Sequence, residues 1–142
     1  MKLSSKLLTI GLAAIVLSGC SARNETVYVS IQDTLNSSEA KSVLDPSIKL
    51  YFAKSVSGKV LKSGLVSNKK TNAVGKSDEK ACRWAFLSAV KQFQKTAASM
   101  GARKVTNLVS YYKRNPYKSS TKFECHAGNL MSGVALKGDI VK

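Results

Sequence analysis

The chain has 142 residues, enough for one compact domain and too few for two. Hydrophobic residues make up 44%, which excludes wholesale disorder. Lys and Arg number 23 against 8 Asp and Glu, a net charge of +15, with one His, one Trp and three Cys, and this inventory excludes a His-rich metal site, a large multi-cofactor enzyme and, with one long apolar run, a polytopic membrane protein.

The start of the chain reads as an address. Lys2 and Lys6 precede Leu7 to Leu17 (LLTIGLAAIVL), which carries no charge. This run is too short to cross a bilayer as a permanent helix, which takes about 20 residues, and a basic start before a short apolar stretch marks a secretory signal. Leu17-Ser-Gly-Cys20 follows, and it resembles the lipobox of bacterial lipoproteins. The resemblance implies a diacylglycerol on the Cys20 sulfur, cleavage before Cys20 and acylation of the new amine, with palmitate among the chains. Ser21 stands where an Asp would imply retention at the inner membrane, so the implied location is the outer membrane. The competing reading is an ordinary signal peptide with an incidental Cys20. The expected organisation is residues 1–19 as lipoprotein signal peptide, 20–26 as lipidated N-terminus and short tether, and 27–142 as a single α+β domain.

Beyond the tether, Val27, Val29 and Ile31 alternate with Tyr28, Ser30 and Gln32, the period-two pattern of a strand. Asn36 to Val43 reads as a short helix ended by Asp45-Pro46. Ile48, Leu50 and Phe52 alternate with Lys49 and Tyr51, a second strand. Val56 to Gly75, rich in Ser, Gly, Lys and Asn, reads as loop with a short strand at Gly64 to Ser67. Ser77 to Met100 predicts a helix: Ser77 is an N-cap, Asp78 and Glu79 suit the positive end of the helix dipole, and Gly101 is a stop. Cys82, Phe86, Ala89, Phe93, Ala97 and Met100 recur at steps of three and four, so they share one face, while Lys80, Lys91 and Lys95 lie on the other. Trp84 falls off the stripe and is read as packing beneath the long loop. Lys104 to Tyr112 predicts a strand, Arg114 to Ser120 a turn, and Thr121 to Ala127 a strand with Phe123, Cys125 and Ala127 inward. Gly128 and Gly133 are expected to break or bulge the chain before a last strand in two pieces, Ser132 to Lys137 and Asp139 to Val141. The fold class expected is α+β, one long helix on a small, mainly antiparallel sheet.

With Cys20 lipidated, Cys82 and Cys125 remain, both pointing inward, one from the helix and one from a strand. An even pair in an exported domain favours a disulfide between the two layers. The competing reading is two buried free thiols acting as small hydrophobes.

Six stretches carry a wider likeness: Ser67-Asn-Lys-Lys-Thr-Asn72, Lys76-Ser-Asp-Glu79, Ala81 to Ala89 (ACRWAFLSA), Ser110-Tyr-Tyr-Lys113, Phe123-Glu-Cys-His-Ala-Gly128 and Gly133-Val-Ala-Leu-Lys-Gly138. Together they resemble small exported bacterial proteins that often carry the label "excinuclease ATPase subunit". The label fails a physical test, because the chain has no G-x-x-x-x-G-K-[ST] loop to cradle phosphates. A looser resemblance, in the helix with its glycine stop and the Cys-bearing strand, runs to the outer-membrane lipoprotein sensor of the Rcs envelope-stress pathway. It implies a small disulfide-stapled domain used for protein contact.

Residue chemistry points to binding and away from catalysis. The excess of cations attracts anionic partners, which in an envelope are lipid headgroups, glycans and acidic proteins; the compartment argues against nucleic acid. Lys69, Lys70, Lys113, Arg114, Lys118 and Lys122 are the candidate anion-binding residues, with Tyr111, Tyr112 and Tyr117 interleaved. The competing reading is a solvated basic face. His126 stands alone and cannot complete a zinc site, so no metal or cofactor is expected. A Ser132–His126–Asp139 triad lacks any G-x-S-x-G elbow and is set aside. The expectation is a non-enzymatic outer-membrane lipoprotein with a basic domain that contacts protein or anionic envelope partners. The alternatives are an enzyme acting on cell-wall or lipid material and a purely structural envelope component.

Overall fold

The computed structural model describes residues 23–142, so the signal segment and Cys20 lie outside the described residues. Strand β1 (Glu25–Ser30) begins two residues inside the stretch read as tether. Ser30 then ends the strand and caps a helix: its hydroxyl accepts from the Asp33 N–H, opening α1 (Ile31–Leu35). Ile31, expected on a strand, is therefore the first residue of α1 and is buried there. Ser37 repeats the device for α2 (Ser38–Val43), so the predicted short helix starts two residues later than its pattern suggested.

Strand β2 (Lys49–Phe52) leads to the largest departure from expectation. Residues read mostly as loop form β3, a 13-residue strand from Val60 to Asn72. The alternation is broken by Gly64, at φ +68°, and by register shifts between Val60 and Leu65. Lys62, Ser63, Asn68 and Lys70 are exposed, as suits an edge strand, where charge deters pairing with other chains.

Helix α3 (Asp78–Ser99) matches its prediction. The Ser77 hydroxyl accepts from the Lys80 N–H. At the other end Gly101 takes φ +69°, and the Ala102 and Gly101 N–H groups donate to the carbonyls of Ala97 and Ala98, a Schellman stop. Cys82, Phe86, Ala89, Phe93 and Ala97 are all fully buried; Met100, sixth in the predicted stripe, is exposed at the cap.

Strands β4 (Lys104–Ser110), β5 (Lys122–Ala127) and β6 (Met131–Val141) complete a six-stranded sheet. Gly133 and Gly138 do not interrupt β6. Gly138 is needed there because a Cβ would stand 2.8 Å from the Leu108 Cδ2 and 3.2 Å from the Thr106 carbonyl oxygen. The strand order is β1-β5-β6-β4-β2, with β3 antiparallel to β6 along its length and only β2–β4 parallel. Strands β4 and β5 thus share the other edge of β6.

The core lies between α3 and one face of this sheet. Val134, Leu136 and Ile140 of β6 and Phe123, Cys125 and Ala127 of β5 point into it. Phe86 stacks on Phe123 at 4.1 Å and on Phe52 at 5.9 Å between ring centroids. Cys82 and Cys125 form a disulfide across the two layers, with Cα atoms 5.8 Å apart. Gln94, buried on α3, donates to the Asp45 and Ile48 carbonyls and accepts from the Asp45 N–H, pinning the α2–β2 connection. Trp84 is half-buried beside Glu39 of α2, and the stretch it was expected to pack beneath is largely strand.

Candidate functional site

The face of the sheet away from α3 carries the chemistry. Cross-strand partners share a face, and the register aligns Lys70 of β3 with Gly133 of β6, Gly133 with His126 of β5, and His126 with Thr26 of β1. Because Cys125 and Ala127 point into the core, His126 points away from it. Gly133 contributes no side chain, so the row dips between Lys70 and His126.

After β4, Tyr111 leads into a 3-10 turn, Tyr112–Arg114, that lays an aromatic ring over this row. Tyr112 stacks on His126 with ring centroids 3.3 Å apart and planes 15° apart. The His126 Nε2 lies 3.0 Å from the Glu124 carboxylate, both side chains being mostly covered. Lys113 and Arg114 both take positive φ, +50° and +62°, a conformation that costs an L side chain about 1 kcal/mol or more. The turn carries the Lys113 ammonium to 5.7 Å from the Tyr112 ring centroid. Beside it, the Lys137 ammonium sits 4.8 Å over Tyr111.

Two cavities flank Tyr112. One, of about 350 Å³, is lined by Asn68, Lys69, Lys70, Tyr112, Lys113 and Gly133 to Ala135. The other, of about 150 Å³, is lined by Arg23, Asn24, Lys70, Tyr112, His126, Gly128, Met131 and Gly133. They share Lys70, Tyr112 and Gly133, so together they form one groove with an aromatic ridge. Among the described residues no carboxylate lines either part. Among the described residues, Lys69, Lys70 and Lys113 make no ion pair.

Two of the six predicted cations, Lys70 and Lys113, therefore meet here from stretches over 40 residues apart in sequence, whereas Lys69, in register with the core residue Val134, lines the cavity through its backbone and directs its side chain to the opposite face. Arg114, Lys118 and Lys122 are exposed but do not line the groove. Arg23 was not singled out by sequence reasoning, Gly133 was read there only as a break and part of the wider likeness, and Tyr112 and His126 were named there but not as a pair. Alternation on β5 did mark His126 as outward, but nothing in the sequence alone ties it to Tyr112.

Arg23 is fixed from the far side. Its guanidinium donates to Asp78, in the first turn of α3, with one contact at 2.9 Å, and to Glu25, also at 2.9 Å. Those hydrogen bonds push the Arg23 pKa upward, and the bond from Arg23 holds the Asp78 carboxyl below its ordinary range.

Ser132, His126 and Asp139 do not converge. Ser132 is buried on the α3 side of the sheet and His126 faces the other way. Asp139 lies seven residues along β6 from Ser132, roughly 23 Å at strand rise. It is engaged in structure, accepting from the Asn107 side chain at 2.9 Å and the Gly64 N–H at 2.8 Å. Among the described residues no helix is long and apolar enough to cross a membrane. No family model, curated protein or solved structure matches the chain.

Proposed function

We propose that this chain is an outer-membrane lipoprotein, anchored through Cys20, whose basic domain holds an anionic envelope partner in the groove beside Tyr112. The observation that carries the reading is the meeting of Lys70 and Lys113 at a cavity that no carboxylate of the described residues lines. Two unpaired ammonium groups around an aromatic edge attract a phosphate or carboxylate group and give its carrier an apolar surface to rest on. Four of the six stretches that carry the family likeness border this groove, so the likeness and the binding role form one proposal. Catalysis by Ser132, His126 and Asp139 gains no support, since the three are held apart.

The test is binding of the mature Cys20→Ser protein to heparin and to vesicles of phosphatidylglycerol. Lys70→Gln/Lys113→Gln is expected to weaken both about tenfold. Raising the salt from about 0.1 M to 1 M, which shortens the Debye length from ~10 Å to ~3 Å, is expected to abolish both. An equal loss from Arg114→Gln/Lys118→Gln/Lys122→Gln would mean that net charge alone attracts the ligand and would overturn the groove. Incorporation of labelled palmitate by the native chain, absent from Cys20→Ser, tests the anchor separately.

A further inference from the structure

One end of the sheet, at the mouth of the smaller cavity, exposes apolar side chains that the core does not use. The turn from β3 into α3 and the turn from β5 into β6 lie side by side there. Asn72 is in register with Met131, and the Ala73 N–H donates to the Leu130 carbonyl at 2.9 Å. These two turns and the first residue of β6 expose Val74 (60%), Leu130 (71%) and Met131 (47%), three large apolar side chains. Scattered apolar residues on a surface need no explanation, but three at one end of the sheet form a protruding apolar tip.

Two lysines flank this tip. The Lys76 ammonium is held to the Asn72 carbonyl at 2.9 Å, and Lys70 stands two residues before Asn72 on β3. Arg23 begins the described chain at this end, its carbonyl packed so near Gly128 that a Cβ there would lie 3.0 Å away. The carboxylates at this end, Glu25 and Asp78, both accept from Arg23. An apolar tip flanked by two lysines matches the layers of an anionic membrane surface, with acyl chains beneath and phosphates above.

The covalent chain supplies an independent constraint. Three residue steps separate Cys20 from Arg23, a reach of at most about 11 Å. Acyl chains on Cys20 would therefore bring the bilayer to this end of the domain.

We infer that Val74, Leu130 and Met131 insert into the headgroup region of the bilayer that anchors the chain, with Lys70 and Lys76 against its phosphates. Orientation toward the anchoring bilayer rests on the lipoprotein reading above; the tip's affinity for an anionic surface does not. Docked this way, the smaller cavity opens at headgroup level and the larger one lies further along the same face. The anchor and the tip then act as two membrane signals, which fixes the domain's tilt as well as its attachment.

The test uses the acylated mature protein in phosphatidylcholine–phosphatidylglycerol vesicles. Leu130→Trp in a Trp84→Phe background is expected to show blue-shifted emission and quenching by lipids brominated high on the acyl chain. The protein without substitutions gives a second readout: amides of residues 72–76 and 128–131 are expected to exchange more slowly on vesicles than in the Cys20→Ser protein in solution. Partitioning of the Cys20→Ser protein is expected to fall roughly tenfold or more with Leu130→Asp/Met131→Asp. Water-like emission of the introduced tryptophan with unchanged exchange in the vesicle-held protein would overturn the inference and leave the anchor standing. So would sedimentation showing that the tip is buried between two copies of the chain. If palmitate never joins Cys20, the anchor reading falls, and partitioning of the unacylated chain decides the tip by the same aspartate variant.

Discussion

Removing the disulfide should loosen one wing of the molecule before it unfolds the whole. Strand β1 pairs only with β5, and β5 joins the rest of the sheet through two register pairs, His126 with Gly133 and Ala127 with Ser132. The Cys82–Cys125 bond therefore ties a two-stranded wing to α3 across a sequence separation of 43. On the chain-entropy account, closing a loop of that size stabilises by about 4 kcal/mol. Cys82→Ala/Cys125→Ala also deletes two buried sulfurs beside Phe86 and Phe123, so the loss should reach 4 kcal/mol or slightly more. In a domain of this size that is a fall of roughly 15 °C in Tm. The assay is urea unfolding of the mature Cys20→Ser chain with and without the pair, joined to hydrogen exchange. Amides of 25–30 and 122–127 should lose protection first, while β3, β6 and β4 keep theirs, because those three pair along most of their lengths. A stability change below about 1 kcal/mol, or loss of protection spread evenly over all six strands, would refute the stapled-wing argument.

Two further outcomes follow from buried and paired polar groups. Gln94→Leu should destabilise by about 2–4 kcal/mol in denaturant unfolding, because it strands the Asp45 N–H and the Ile48 carbonyl without their partner. Asp78 has a lowered pKa in the folded chain through its bond from Arg23, so its contribution is fully present above the ordinary Asp value near 3.9 and is lost as pH falls through the lowered value. Stability followed from neutral pH to about pH 2 should fall less steeply in Asp78→Asn than in the parent. Glu39 and Asp45, also lowered, keep a residual slope of the same sign in that variant.

Local signals made some of the fold readable and left other parts opaque. Helix α3 was legible end to end because cap, dipole residues, apolar period and glycine stop all agree, and each acts within a few residues. Strand β5 was legible because its alternation is strict. Strand β3 was not, since an edge strand with polar residues on one face and a glycine-centred break in register has the composition of a loop; pairing with β6 along its length is what makes it a strand. Ile31 failed for a related reason: Ser30 and Asp33 form a helix start, and that start overrides an alternation of only three apolar residues.

The groove shows the same division at the level of chemistry. Density of charge picked out Lys69, Lys70 and Lys113, and neighbouring tyrosines marked the last of these. That the two groups meet depends on β3 being a strand, so the meeting was as hidden as the strand itself. Gly133 illustrates why: in one dimension a glycine reads as a break, whereas here it lies between Lys70 and His126 and makes the hollow between them. Its meaning is set by two partners 63 and 7 residues away, and no local pattern carries that information. The apolar tip is hidden in another way, because Val74 and Leu130 look like single exposed residues until Ala73 bonds to the Leu130 carbonyl. Both features arise from the pairing of β3 with β6. A variant that frayed this pair at its Asn72–Met131 end would therefore lose the groove and the tip together, while α3 and the disulfide would be left in place.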